Sequence, residues 1–160
     1  MTARGAALTA DEIAAIEREA ALYEHKRAAC IDALKIVQRR RGWVSDEQLR
    51  DVARLLDMSV DELDGVATFY NLLYRRPVGR HVVHVCDSVS CWLMGATGIA
   101  ERLRERFGAR FGETTADGRF TVLPIPCLGA CDRALAMLVD GELHTDLDPE
   151  RVEQVLARYE

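Results

Sequence analysis

His81-Val82-Val83-His84-Val85-Cys86-Asp87-Ser88-Val89-Ser90-Cys91 is a short β-branched, apolar run that ends in a cysteine pair spaced C-x4-C. The apolar part predicts a strand over 81–85, and that strand delivers the chain straight to Cys86. The device recurs once. Phe120 to Ile125 predicts a second strand, Pro126 stops further ladder pairing, and Cys127-Leu128-Gly129-Ala130-Cys131 follows as C-x3-C. Four of the five cysteines therefore sit in two tight pairs, with 35 residues between the pairs. Either spacing lets a loop curl so that both sulfurs face one point. Two such loops brought together make a four-thiolate pocket, which suits a soft metal centre: Zn²⁺ or an iron–sulfur cluster.

The residues between the pairs say how the loops could meet. Met94 to Phe107 predicts a helix with Ala96, Ile99, Ala100, Leu103 and Phe107 inward. A strand, a crossover helix and a second strand make a parallel pair. Both cysteine pairs then lie just past the carboxyl ends of parallel strands, the end of an open α/β sheet where sites form. Further on, Leu135 to Val139 predicts a third strand, and Asp140-Gly141 turns it back as a hairpin into Glu142 to His144. Asp148 as cap and Pro149 in the first turn open a last helix, with Val152, Leu156 and Tyr159 inward.

The first half reads differently. Thr9 with Glu12, Ser45 with Gln48, and Ser59 with Glu62 are capping-box pairs, each preceding a helical apolar pattern. The patterns place Ile13, Ile16, Ala20 and Tyr23 inward on the first helix. A second, over 27–40, carries Cys30, Leu34 and Val37 and ends at Gly42. Leu49, Val52, Ala53 and Leu56 belong to a third, and Leu63, Val66, Ala67 and Tyr70 to a fourth. Pro77 and Gly79 break the helical period. The expected organisation is an N-terminal helical domain over 1–78 and a four-stranded sheet domain over 79–160, an α+β or α/β arrangement.

Composition excludes several classes. A net charge of −5 argues against nucleic acid and anionic membrane as partners. No apolar run approaches the ~18 residues of a transmembrane helix, and Met1 to Leu8 lacks the apolar centre of a signal peptide. The expected compartment is the cytoplasm, where paired cysteines read as metal ligands or redox groups before disulfides. No G-x-G-x-x-G, no P-loop and no nucleophile–base pair is present, so no residue is assigned a catalytic role.

Four thiolates alone do not choose between zinc and iron. Structural zinc favours C-x2-C knuckles, and neither pair has that spacing. C-x4-C occurs among plant-type ferredoxins, although their full pattern differs. A 2Fe–2S centre wants two ligands on each iron, which two separate pairs supply. Ser88, Ser90, Gly129 and Ala130 are small enough to let backbone N–H groups approach the sulfurs. A disulfide oxidoreductase is disfavoured because no C-x-x-C occurs.

Val85-Cys86-Asp87-Ser88-Val89-Ser90-Cys91 resembles the first ligand loop of the NuoE family, the 2Fe–2S subunits of the NADH-oxidising module of bacterial NADH:quinone oxidoreductase (respiratory complex I). Asp117-Gly118-Arg119-Phe120-Thr121 followed, after five residues, by Cys127-Leu128-Gly129-Ala130-Cys131-Asp132-Arg133-Ala134 resembles that family's second-loop signature, and Ala67-Thr68-Phe69-Tyr70 a third segment. The resemblance covers roughly residues 10 to 159 and departs at Leu135, where the family usually has proline. It implies a thioredoxin-like domain carrying one 2Fe–2S cluster behind a helical domain that docks a partner. Cys86 and Cys91 would hold one iron, and Cys127 and Cys131 the other. It also implies that NADH and FMN belong to a neighbouring subunit, from which this chain accepts single electrons. The chain would then be a peripheral subunit on the cytoplasmic side of the inner membrane, a carrier with no substrate site of its own.

Rival readings are an equivalent 2Fe–2S subunit of an NAD-dependent formate dehydrogenase or hydrogenase, a free-standing ferredoxin, and a non-redox four-cysteine zinc protein. Other residues read as structure. Cys30 is expected to be a buried small hydrophobe. His84 and His144 could serve a Rieske-like site, but four paired cysteines already suffice. His81 and His84 are expected to face solvent or the sheet edge. Arg39-Arg40-Arg41 is expected to be a solvated helix end whose cations complement the dipole.

Overall fold

A computed structural model describes residues 6–159. The chain divides into two compact units, one ending at Pro77 and the other beginning at Val78.

The first unit contains α1 (Ala10–Ala20), a 3-10 turn (Lys26–Ala29), α2 (Cys30–Arg41), α3 (Asp46–Leu55) and α4 (Val60–Phe69). All three capping boxes form in both directions: Thr9 with Glu12, Ser45 with Gln48 and Ser59 with Glu62. Each satisfies amide groups that a helix start leaves open, for about 1 kcal/mol. Gly42 ends α2 at φ +87°, a left-handed position that glycine adopts without Cβ strain. The core joins Ile16 and Ala20 of α1 to Ala33, Leu34 and Val37 of α2, with Leu49 and Val52 of α3 and Leu63 and Ala67 of α4.

Two arginines tie this unit together. Arg41 pairs with Glu12 through one edge of its guanidinium, Nε donating to Oε1 at 2.8 Å and Nη2 to Oε2, and the carboxylate side chain is only 3% exposed. Arg75 donates to the Val44 carbonyl, to Asp64 Oδ1 (2.7 Å) and to Asp46 Oδ1 (2.7 Å), fastening the unit's last residues to the start of α3 and the middle of α4.

Several expectations are corrected here. α2 begins at Cys30, because residues 26–29 wind as a 3-10 turn, and Cys30 is half-buried at the edge of the core. α1 stops at Ala20, so Tyr23 lies beyond the helix, exposed, its hydroxyl donating to Asp32 at 2.9 Å. Tyr70 is the extended C-cap of α4 and is also exposed. Arg41 is not a solvated cation but the partner of a buried carboxylate.

The second unit contains β1 (His81–Cys86), α5 (Val89–Leu93), α6 (Ala96–Phe107), β2 (Phe120–Ile125), a 3-10 turn (Cys131–Arg133), β3 (Met137–Val139), β4 (Glu142–His144) and α7 (Pro149–Leu156). The four strands form one mixed sheet in the order β2-β1-β3-β4. β1 and β2 run parallel with His81 opposite Phe120 and Cys86 opposite Ile125. β3 is antiparallel to β1 and to β4. Gly79 admits the chain to β1. A Cβ there would meet the Gly118 carbonyl oxygen at 2.9 Å, and the Gly79 N–H donates to Thr121 Oγ1 at 2.6 Å. α6 packs Ile99 and Leu103 into a core with Val83, Val85, Phe120, Val122, Met137, Val139, Val152 and Leu156. α7 is capped by Asp148, with Pro149 in its first turn.

β1 is the central strand, hydrogen-bonded on both sides and buried over 82–86. His84 is therefore 1% exposed rather than facing solvent or an edge. His81 is half-buried, its Nδ1 2.6 Å from Asp140 Oδ2. The third strand is shorter than expected and begins at Met137. The Ala134–Leu135 peptide bond is cis.

The Arg41 hydrogen bonds, opposed by burial, hold the Glu12 carboxyl down at about 2, against an ordinary 4.5. A depressed carboxyl stabilises the fold above its unfolded value. The contribution of this pair is therefore complete above pH ~4.5 and fades as pH falls toward about 2. Glu12→Gln should cost the helical unit about 3 kcal/mol at neutral pH and flatten the acid limb of its stability. Urea unfolding of the full chain followed by circular dichroism at pH 7 and pH 3 reads both effects.

Candidate metal centre

The parallel register sets the site. Cys86 is the last residue of β1, opposite Ile125, the last residue of β2. Just beyond, the Asp87 N–H donates to the Ile125 carbonyl at 3.0 Å, and the Cys86 N–H to the Ala136 carbonyl at 3.1 Å. Three strands thus converge where the two cysteine loops leave the sheet.

The first loop is not a plain loop. After Asp87 and Ser88 it winds into α5, and Cys91 sits inside this helical turn, 2% exposed. Cys86 is 3% exposed, and both thiols belong to the sheet unit's core. The second loop is open to solvent. Cys127 and Cys131 are exposed, with their Sγ atoms 3.7 Å apart. Gly129 lies between them at φ +76°, and its N–H donates to Cys127 Sγ at 3.3 Å. No cysteine is in a disulfide.

The two pairs interact with each other. The Cys86 thiol donates toward the Pro126 carbonyl, immediately before the second loop, at 3.7 Å. The Gly129 N–H, followed by the Cys131, Ser88 and Cys86 side chains, holds Cys127 below the ordinary thiol range, with burial opposing. Burial, then the Cys86 thiol, pushes Cys91 up, with the Ala136 N–H opposing and the charge of Cys131 adding to the rise. All four thiols therefore lie within electrostatic reach of one another, arranged as two pairs. Among the described residues no three His, Cys, Asp or Glu side chains group tightly enough to hold one metal ion.

Sequence reading places the four cysteines but misses some of their surroundings. Ala136 directs its N–H at Cys91 from the segment leading into β3. A backbone donor on an alanine leaves no side-chain signal. Ser88 is expected to matter for its small size, yet it reaches Cys127 through its side chain. α5 and its C-cap turn their remaining apolar residues outward: Val89, Trp92 and Leu93 of the helix and Met94 just past it are each more than 60% exposed. His144 is held away as a ligand by its own partner, Tyr159 Oη, at 3.0 Å from Nε2.

A mixed sheet delivering two thiol pairs to one end defines a class: the chain belongs to the thioredoxin-like [2Fe-2S] ferredoxin family, whose model matches residues 16–160. Within that family it is similar to a NADH-quinone oxidoreductase subunit of Pseudomonas aeruginosa, the one designated E, with 44% identity over 152 residues, covering 95% of this chain and 92% of that one. The subunit of the same designation in Escherichia coli K12 is 47% identical over the same coverage. The resemblance carried by the cysteine loops is thus borne out. The crystal structure of an NAD+-reducing [NiFe]-hydrogenase in the H2-reduced state superposes with a TM-score of 0.68 at 24% identity, over 82% of this chain and 22% of that chain. It shares the fold.

The donor set fits the cofactor for which the family is named. Four thiols offer the soft, anionic ligands iron prefers, in pairs, with N–H groups aimed at two of the sulfurs. In cluster-free protein, the exposed Cys127 and Cys131 should alkylate on the order of ten-fold faster than the buried Cys86 and Cys91. Timed iodoacetamide labelling with peptide mass spectrometry measures this, and equal rates would show that the first pair is open to solvent.

Proposed function

We propose that this chain is the iron–sulfur electron-transfer subunit of the NADH-oxidising module of an NADH:quinone oxidoreductase. In this reading Cys86 and Cys91 hold one iron, and Cys127 and Cys131 the other. The observation that carries it is the meeting of two thiol pairs at one end of the sheet, in a chain similar to NADH-quinone oxidoreductase subunits over 95% of its length.

When bound, the cluster supplies a centre that gains and loses one electron at a time. The chain's own residues set the conditions. Cys86 and Cys91 would hold it from the apolar core, where water is excluded. Cys127 and Cys131, both exposed, would hold it from the surface side, where a partner can reach it. The Gly129 and Ala136 N–H groups place positive dipole ends at the sulfurs and favour the reduced, more negative state. Asp87 and Asp132 stand beside ligands, exposed, and oppose that effect.

Electrons would come from the FMN of a neighbouring subunit that also binds NADH, as the family resemblance implies, and the sequence has neither a G-x-G-x-x-G nor a P-loop. The exposed apolar residues of α5 surround the buried Cys91 and give such a partner a face to cover close to the cluster. In the helical unit Phe69 is 79% exposed, on the segment that carries the family resemblance, and suits a docking role for that unit. Among the described residues no helix is long and apolar enough to cross a membrane, in keeping with a peripheral subunit on the cytoplasmic side of the inner membrane.

Changing Cys86, Cys91, Cys127 or Cys131 to Ala should abolish or cripple cluster assembly, and Cys30→Ala should leave it intact. The readout is the EPR signal of dithionite-reduced protein. A full signal in Cys127→Ala would contradict the ligand assignment, and its loss in Cys30→Ala would show a fifth functional thiol.

A further inference from the structure

The sheet unit carries a second polar site. A cavity of about 260 Å³ opens between β4 and α7, beside the 3-10 turn that carries Cys131. Leu147 and Val155, both buried, form part of its wall with Leu143 and Thr145, and Arg133, Arg151, Arg158 and His144 supply its charged and titratable lining. Arg151, Val155 and Arg158 are four and three residues apart, so one face of the last helix and its closing turn presents both guanidiniums to the cavity.

Charge is unbalanced there. The Asp146 carboxylate accepts two hydrogen bonds from Arg133, from Nε at 2.9 Å and from Nη2 at 2.5 Å. Arg151 Nη1 reaches only the Asp146 backbone carbonyl, at 3.3 Å. Among the described residues no acidic side chain is hydrogen-bonded to Arg151 or Arg158, although the charge of Arg151 also acts on the Asp146 carboxylate. Two carboxylates, Asp146 and the Glu142 that lies 4.0 Å from His144 Nε2, therefore stand beside three guanidiniums, a local positive excess in a chain whose net charge is −5. Burial holds His144 below the ordinary imidazole range; the Glu142 carboxylate opposes this and the charge of Arg158 adds to it, which places Arg158 close to the cavity wall.

We propose that this cavity binds a phosphate-type oxyanion, as inorganic phosphate or as the diphosphate of a nucleotide. Planar guanidinium forks match the paired oxygens of a phosphate group, and charge-assisted hydrogen bonds of this kind are the strong ones. The cavity is small and open to solvent on one side, and at about 260 Å³ it suits a compact anion better than an extended acidic peptide. Arg133, tied to Asp146, forms a fixed edge. Arg151 and Arg158, whose guanidiniums donate no hydrogen bond to a carboxylate among the described residues, are the groups an oxyanion would engage.

The test is isothermal titration calorimetry on the cluster-loaded full chain at low ionic strength, with inorganic phosphate, pyrophosphate and ADP as separate titrants. Wild type should bind at least one of them with millimolar or better affinity, and Arg151→Gln with Arg158→Gln should weaken that binding at least ten-fold. Arg158→Lys should lose less than Arg158→Gln, because it keeps the charge. A preference for ADP over both inorganic anions assigns the site to a nucleotide, and the reverse to free phosphate. No binding of any titrant at ten millimolar, or equal affinity in wild type and the double variant, overturns the proposal. If the double variant fails to give the wild-type circular dichroism spectrum, Arg158→Gln alone decides, with the same two outcomes.

Discussion

The parallel pairing of β1 with β2 is the constraint on which the site depends. Strand pairing in register fixes which residues end together. Here it sets Cys86 opposite Ile125, so that both chains leave the sheet at the same end and at the same height. Cys127 follows two residues later, with Pro126 closing the ladder between them. A one-residue slip would turn the apolar faces of β1 and β2 inside out, and it would also carry Cys86 away from the second loop. The same apolar pattern that builds the core therefore positions the four thiols.

That arrangement makes the four thiols unequal. The first pair is part of the core, packed with Val85, Ala96 and Ala136. The second pair sits on a glycine-bearing loop at the surface, with a backbone N–H directed at one sulfur. A centre held this way is anchored on one side and reachable on the other, which is what an electron carrier docked to a partner needs. The exposed apolar side of α5 extends this asymmetry outward. Cys91 faces in, while Trp92, Leu93 and Met94 face out from the same helical turn. The relatives, named as subunits of NADH-quinone oxidoreductase, agree with a chain whose function is completed by a neighbour.

Much of this was legible in the sequence, for identifiable reasons. Capping boxes are local chemistry: Thr9, Ser45 and Ser59 each need only a partner three residues on, and all three formed. Four short strands and the Asp140-Gly141 hairpin could be read from β-branched runs and turn residues. The cysteine loops were legible because their spacing is chemical as well as structural. What escaped depends on tertiary context. His84 looks polar enough for a surface, but the strand order places it in the central strand. Tyr23 and Tyr70 continue a helical period past the point where the helix has ended, and periodicity cannot see that end. Arg41 looks like a dipole-complementing helix terminus until Glu12 arrives from another helix. The Ala136 N–H at Cys91 leaves no trace in sequence, since every residue but proline carries that donor.

The central claim is that the two thiol pairs together hold two irons and not one redox-silent ion. Metal and acid-labile sulfide analysis of anaerobically purified protein, read beside its visible absorption spectrum, tests this most directly. The account predicts a coloured protein with iron and sulfide in equal amounts and little zinc, whose colour bleaches on reduction. Colourless protein that holds zinc without sulfide would contradict it.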